Sequence, residues 1–307
     1  MRQVHDVDLK LLRVFDAVVR CGGFSAAQAM LNVGQSTISA QIGSLEVRLG
    51  VRLCERGRGG FRLTEQGAAA HAASQRLLGA IDDFRNEAAL LTSLLAGTLS
   101  LGLIDNTVAD ESSPLRSALT RFSARASDLR INVYIGMPGE LEQRVLDGRL
   151  HLAIGHFPFH APGSTAIPLY EEAHGLYCEV THPLAQPGVN TRDVVEGLKD
   201  ARVASRGYLR RRDLDLLGVE SAASTADNIE AQAILILGNN CVGFLPNHYA
   251  AQWVAAGDMK QLLPSRMTLW SKFSAIIRKA TPPMIVQTFL SDLEHSRREL
   301  AARKPRR

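Results

Sequence analysis

Five side chains within seven positions, Gln35, Ser36, Thr37, Ser39 and Gln41, bring two amides and three hydroxyls to the start of one predicted helix. A carboxamide can pair bidentately with the edge of an adenine, and hydroxyls adapt to several base edges or to phosphate. Such a set suits the floor of a DNA major groove if a helix carries it there. Ser25 offers a further hydroxyl upstream. Downstream, Arg56, Arg58 and Arg62 surround a Gly-rich tip, Arg56-Gly57-Arg58-Gly59-Gly60. Guanidinium groups in that position can hold phosphates or enter a minor groove. Any one of these polar residues could equally be a solvated helix face; the whole set is harder to explain that way.

The charge distribution points in the same direction. The 307-residue chain carries a formal net charge of +4. Residues 1–64 hold nine basic and five acidic residues, so the whole excess sits there, and the rest balances at 26 of each sign. A small basic head on a neutral body implies a polyanionic partner. With 46% hydrophobic and 21% charged residues, the chain has material for two or three domains with sizeable cores. Met1 to Lys10 lacks the apolar segment of a secretory leader, and no uncharged apolar run reaches the ~18 residues of a membrane span. A cytoplasmic location with no membrane partner is expected.

Other chemistries find less support. Cys21, Cys54, Cys178 and Cys241 lie far apart with no C-x-x-C pair, so reduced, mostly buried thiols are expected. A redox signal through Cys178 or Cys241 is the alternative. His151, His156 and His160 are close in sequence but span a strand and a Pro-containing loop, so they do not place three ligands on one face. No metal and no cofactor are expected. The sequence has no G-x-S-x-G, H-E-x-x-H, P-loop or G-x-G-x-x-G, which argues against an enzyme.

The elements that must position these groups can be read from periodicity. Leu9, Leu12, Phe15, Val18 and Val19 predict a helix over Asp8–Arg20 with Asp8 as its cap. Ser25 is expected to cap a second helix, Ala26–Leu31. Asn32-Val33-Gly34 reads as a tight turn. A third helix, about Gln35–Leu49, turns Ile38, Ile42, Leu45 and Leu49 inward. Short strands at Arg52–Glu55 and Phe61–Leu63 flank the Gly-rich tip. Thr64 then caps a helix reaching about Ser93, whose apolar positions Ala73, Leu77, Ile81, Phe84, Ala88, Leu91 and Leu95 step by three and four. A second copy of the same helix is the simple way to bury that stripe.

From Gly97 onward, short apolar runs alternate with helical stretches, which predicts α/β folding with mostly parallel sheets. About 200 residues divide more naturally into two linked α/β subdomains with a cleft between them, and such clefts bind ligands. The Arg- and Lys-rich tail from Arg297 reads as a frayed, solvated terminus.

The stretch Phe24 to Gly67, FSAAQAMLNVGQSTISAQIGSLEVRLGVRLCERGRGGFRLTEQG, resembles the LysR-type transcriptional regulators. The similarity lies in Phe24-Ser25-Ala26-Ala27, the Gln35-led helix, Leu45-Glu46 with Leu49-Gly50, the basic wing, and Leu63-Thr64 with Gly67. Weaker similarity follows at Gly97-Thr98-Leu99, Leu146 to Ile154, His182-Pro183-Leu184 and Gly238 to Pro246. Gly34 departs from the family's usual Ser or Thr cap, Ser36 from a common Pro, Cys54 from Phe, His151 from Asp and Asn240 from Gly.

The resemblance implies an α/β protein with a helix-rich head: a winged helix-turn-helix over 1–64, a linker and dimerisation helix over 65–95, and an effector-binding region over 96–307. That region would comprise two periplasmic-binding-protein-like subdomains, one about 97–168 with 269–300 and the other about 169–268. Implied partners are double-stranded promoter DNA, a small-molecule effector, further copies of the chain in a homodimer or homotetramer, and RNA polymerase. Effector contacts are expected at Asp105, Asn106 and Thr107, at His156 and Phe157, at Ser205 and Arg206, and at Thr225 and Asp227. The acids among these favour an amine and Arg206 favours a carboxylate, so the ligand's charge stays open.

Overall fold

The computed structural model describes residues 5–57, 60–90, 97–125 and 129–303. Contacts divide the chain into two compact units, one within residues 1–92 together with 147–149, the other within 93–146 and 150–307.

The first unit comprises α1 (Asp6–Arg20), α2 (Phe24–Leu31), α3 (Gln35–Leu49), the antiparallel pair β1 (Cys54–Gly57) and β2 (Gly60–Leu63), and α4 (Glu65–Leu90). Its core gathers Leu11, Leu12, Phe15 and Val18 from α1 with Ile38, Ile42 and Leu45 from α3. Two expected caps fall elsewhere. α1 begins two residues earlier, with His5 as N-cap and Asp8 at N3, where its carboxylate accepts the His5 N–H at 2.8 Å. Asp8 is inaccessible to solvent and is also gripped bidentately by Arg48 from α3, which favours this placement. The guanidinium and the backbone donor hold its carboxyl down at about 2. α2 begins at Phe24 with Gly23 as N-cap, because Gly23 has φ 151°, open to glycine alone. Ser25 therefore lies inside the helix.

The entry to α4 explains the Leu63-Thr64-x-x-Gly67 pattern. Thr64 Oγ1 donates to the Arg52 carbonyl at 2.6 Å and accepts the Gly67 N–H at 2.9 Å, capping the helix. That first turn lies directly on the Leu53 peptide. A Cβ at Gly67 would sit 1.8 Å from the Leu53 carbonyl oxygen. Backbone meets backbone there, so neither side can rotate away. Gly67→Ala is expected to destabilise this unit by about 3 kcal/mol, read as a fall in its thermal midpoint. An unchanged midpoint would refute the steric account.

The second unit holds β3 (Gly97–Leu103), α5 (Leu115–Ser123), β4 (Leu129–Ile135), α6 (Pro138–Leu146), β5 (Leu152–His156), β6 (Ser164–Glu179), α7 (Thr191–Gly197), β7 (Ala204–Arg206), α8 (Arg212–Leu217), β8 (Ser224–Ala226), α9 (Ile229–Gly238), β9 (Gly243–Pro246), α10 (Asn247–Ala256), β10 (Met259–Leu262), β11 (Thr268–Arg278) and α11 (Met284–Arg303). One sheet runs in the order β10-β6-β11-β5-β3-β4, and β9 also pairs with β6. The expectation of mostly parallel sheets is corrected. β3 pairs in parallel with β4 and β5, but the 16-residue β6 and 11-residue β11 form a long antiparallel pair with a register shift at Phe273/Ser274.

The two strands connect two sets of apolar clusters. Leu99, Leu101, Phe122, Ile154, Phe289 and neighbours fill one side. Leu176, Val203, Val242, Phe244, Leu262 and neighbours fill the other. Asn240 takes φ 49°, the left-handed turn that Asn tolerates. The basic tail is helical through Arg303, and Arg297 and Arg298 both pair with Glu294, so the expected frayed terminus is not found there.

Candidate functional site

In the first unit, α3 faces two ways. Ile38, Ile42 and Leu45 are fully buried, while Gln35, Ser36 and Thr37 are exposed on its first turn. Ser39 and Gln41 are half-buried on the flank of that face. Gly34 serves as N-cap in an extended conformation, its carbonyl accepting from Thr37 and Ile38, and leaves the helix entrance uncovered. Exposed backbone N–H groups at such an entrance attract phosphate. Ser25 is exposed on α2 and receives the Gln28 side chain. Arg62 is exposed on β2 opposite Glu55. Arg56 lies on β1, with its side chain outside the described residues, and Arg58 is outside them altogether. α4 is fixed to α1 where His71 Nε2 and Gln75 Nε2 meet Asp16 Oδ1 at 2.9 and 3.1 Å.

In the second unit, a buried polar cluster forms where the long strand pair passes between the two sets of cores. Arg206, at the end of β7, is 1% exposed. Its Nη1 donates to Tyr208 Oη at 2.8 Å and its Nη2 to His174 Nδ1 at 2.9 Å. Because a guanidinium only donates, His174 Nδ1 must accept, which leaves Nε2 to carry the proton. That nitrogen lies 2.7 Å from Glu172 Oε2. His248, on α10, donates to the other Glu172 oxygen at 2.9 Å. Burial and the nearby Arg206 keep His174 neutral, with its pKa down at about 4 despite Glu172. Burial alone would raise Glu172, but the two histidine hydrogen bonds bring it down to about 2.

The expected effector residues divide. Asp105 follows β3, and its Oδ2 accepts the Ile229 N–H at 2.7 Å, at the first turn of α9. Burial pushes its carboxyl up. Asn106 is left-handed at φ 58° and Thr107 is buried beside it. His156 Nδ1 donates to the Lys272 carbonyl at 3.0 Å and Nε2 accepts from Arg212 at 3.3 Å, a neutral ring whose pKa burial lowers. Ser205 and Arg206 are buried on β7. Phe157 packs instead into an apolar cluster with Ile104, Leu141 and Val145. Thr225 and Asp227 are exposed.

Sequence reasoning missed Asp110, Tyr170, Glu172, His174 and His248. A signal existed for three of them: Tyr170, Glu172 and His174 alternate along β6, the period that puts polar groups on one face of a strand.

Comparison with known proteins identifies both units. Residues 9–68 match the family model described as bacterial regulatory helix-turn-helix protein, lysR family, and residues 92–297 match the LysR substrate binding domain. The chain belongs to the LysR family. It is a LysR-type transcriptional regulator, with a DNA-binding helix-turn-helix and an effector-binding domain. Among LysR relatives, the HTH-type transcriptional activator BauR of Pseudomonas aeruginosa is 39% identical over 297 residues, covering 94% of this chain and 95% of the relative. A probable hydrogen peroxide-inducible genes activator of Mycobacterium leprae is 36% identical over 174 residues, 57% of this chain and 55% of the relative. The full-length fold is similar to that of CbnR complexed with its target DNA, with a TM-score of 0.65, 21% identity, and coverage of 94% of this chain and 99% of CbnR. No helix among the described residues is long and apolar enough to cross a membrane.

Proposed function

We propose that the LysR head reads double-stranded promoter DNA through Gln35, Ser36 and Thr37, flanked by Ser39 and Gln41. Ser25, Arg56, Arg58 and Arg62 hold the duplex backbone or the adjacent minor groove. A small-molecule effector in the cleft around Arg206 and Glu172 changes DNA binding or bending. The carrying observation is α3 itself, with three polar side chains exposed on the first turn of a helix whose opposite face is fully buried.

One head spans a half-site, so the working unit is a homodimer or homotetramer. Phe84, 69% exposed on α4, suits burial against a second copy of that helix. The protein works in the cytoplasm, has RNA polymerase as a further partner, and has no catalysis of its own. BauR's description supports activation rather than repression.

Relatives described as peroxide-inducible activators raise a cysteine signal. Here Cys54, Cys178 and Cys241 are buried, and burial pushes the Cys178 thiol up to about 12. A thiol held protonated is a poor redox nucleophile, which favours the small-molecule reading.

Fluorescence anisotropy on the gene's own upstream duplex, against a scrambled duplex across a salt series, tests the DNA reading. Tighter binding to the native duplex is expected, with affinity falling steeply as salt rises. Gln35→Ala should cost about 1–3 kcal/mol on the native site and little on the scrambled one. Equal losses on both would assign Gln35 a backbone role only.

A further inference from the structure

We propose that the effector cleft is built for a zwitterion, a small amino-carboxylate whose anionic end meets Arg206 and whose ammonium meets Asp110 and Glu172. This rests on the effector reading above and names the class of ligand.

Two opposite charges in the cleft lack proper counterparts. Among the described residues the Arg206 guanidinium hydrogen-bonds only neutral groups, Tyr208, His174 and the Phe244 carbonyl, although the Asp105 carboxyl lies near enough to feel its charge. It forms no ion pair among the described residues, and its Nε has no hydrogen-bond partner. A buried cation in that state is costly unless an anion joins it. Asp110 presents the opposite case. It is 7% exposed, its Oδ1 accepts the Ser112 N–H at 2.8 Å, and its Oδ2 faces the Tyr170 hydroxyl without a well-formed hydrogen bond. Burial pushes its carboxyl up, the response of an acid without enough positive charge nearby.

Other unpartnered buried atoms include Asn106 Nδ2, on the residue that follows Asp105, and Nδ1 of His248, whose Nε2 is on Glu172; Tyr170 Oη faces Asp110 and Ser113. Buried polar groups in folded proteins are nearly always satisfied, so a cluster of exceptions marks what a bound molecule supplies. The missing partners are of two kinds. Arg206 Nε and Asn106 Nδ2 need an acceptor, and Asp110 Oδ2 needs a donor. A carboxylate answers the first need and an ammonium the second.

A divalent cation is the competing occupant. Asp110, Glu172 and His248 each offer a ligand atom, and the three lie within 4.8 Å of one another. Mixed N and O donors suit such an ion. It would add positive charge to a cleft that already holds Arg206 and leave that guanidinium without an anion. The zwitterion satisfies both ends.

The test is titration calorimetry on the full-length protein. Probes are the common α-amino acids and straight-chain ω-amino acids from glycine to 6-aminohexanoate. Controls are the matching carboxylic acids, the matching alkylamines, and the chlorides of zinc, manganese and magnesium. At least one amino-carboxylate is expected to bind roughly 10-fold or more tightly than both its des-amino and its decarboxylated analogue. Asp110→Asn, nearly isosteric, should weaken that ligand and bring it within about 3-fold of its des-amino analogue. Arg206→Lys, which keeps the charge but loses the fork, should weaken every carboxylate-bearing probe.

The proposal is overturned if a simple acid or amine binds as tightly as the best amino-carboxylate, if a metal chloride alone binds and His248→Ala abolishes it, or if no amino-carboxylate binds. In the first two cases, an occupant that still shifts affinity for the upstream duplex leaves the sensing role standing. If no probe of any class alters DNA binding, the sensing role fails as well.

Discussion

Alanine in place of Phe15 is expected to abolish duplex binding while the effector-binding unit stays folded. Phe15 is fully buried in the head and meets the His71 ring edge-on, with centroids 5.7 Å apart. It touches the α1–α3 core and the α1–α4 junction together, so its loss leaves a void at the point where the recognition helix and the linker helix are both held. A large-to-small change of this kind costs about 3–5 kcal/mol. Small domains have only about 5–15 kcal/mol in total, and a unit this size sits near the low end. Calorimetry should show the first transition shifted or gone and the second unchanged, with anisotropy lost on every duplex. If both transitions fall together, the two units do not unfold independently.

The second large effect is a loss of effector-unit stability on mild acidification. His174 is held neutral in the fold, with its pKa down at about 4 from an ordinary 6.5. Between those values the unfolded chain binds a proton that the folded chain refuses, so stability falls as pH falls. Across the window this amounts to roughly 3 kcal/mol. Glu172 adds a further loss lower down. Its carboxyl is ionised in the fold to about 2, so its contribution is present above the ordinary carboxylate range and disappears as pH drops from about 4.5 to 2. Both groups therefore act in the same direction. Urea denaturation at steps from pH 7.5 to 4 should show the midpoint of the second unit falling. His174→Gln should flatten the upper part of that curve. A stability that is flat from pH 6.5 to 4 in the parent protein would show that His174 is already protonated in the fold.

The head was far more legible in the sequence than the buried polar cluster of the second unit, for a physical reason. Head residues cooperate across short separations. Gln35 to Gln41 share one helix, and Thr64 and Gly67 share one turn, so spacing alone predicts their geometry. The errors there concerned caps, where Gly23 and His5 depend on backbone angles and on a long-range partner, Arg48.

The buried polar cluster is assembled from a loop (Asp110), a strand (Glu172, His174), a strand end (Arg206) and a helix (His248), which meet only once β6 and β11 have paired. Pro168 and the acidic pair Glu171-Glu172 hid the first half of β6, since neither is usual in a strand interior. Arg206 is expected from the family resemblance, as a residue that follows a predicted strand, while Phe157 shows the limit of that logic. It too follows a strand, but its ring turned into the neighbouring core rather than toward the cleft.

The long β6–β11 pair sets how a bound molecule can be felt by the rest of the domain. Because both strands continue without a break from one subdomain to the other, there is no loop joint about which the halves can swing. Closing the cleft must twist the ribbon, and the twist is easiest at the irregular step beside Phe273, where two residues of one strand face one of the other. A ribbon of this build is expected to act as a torsion spring under load, yielding by graded twist where an open linker would give a loose hinge.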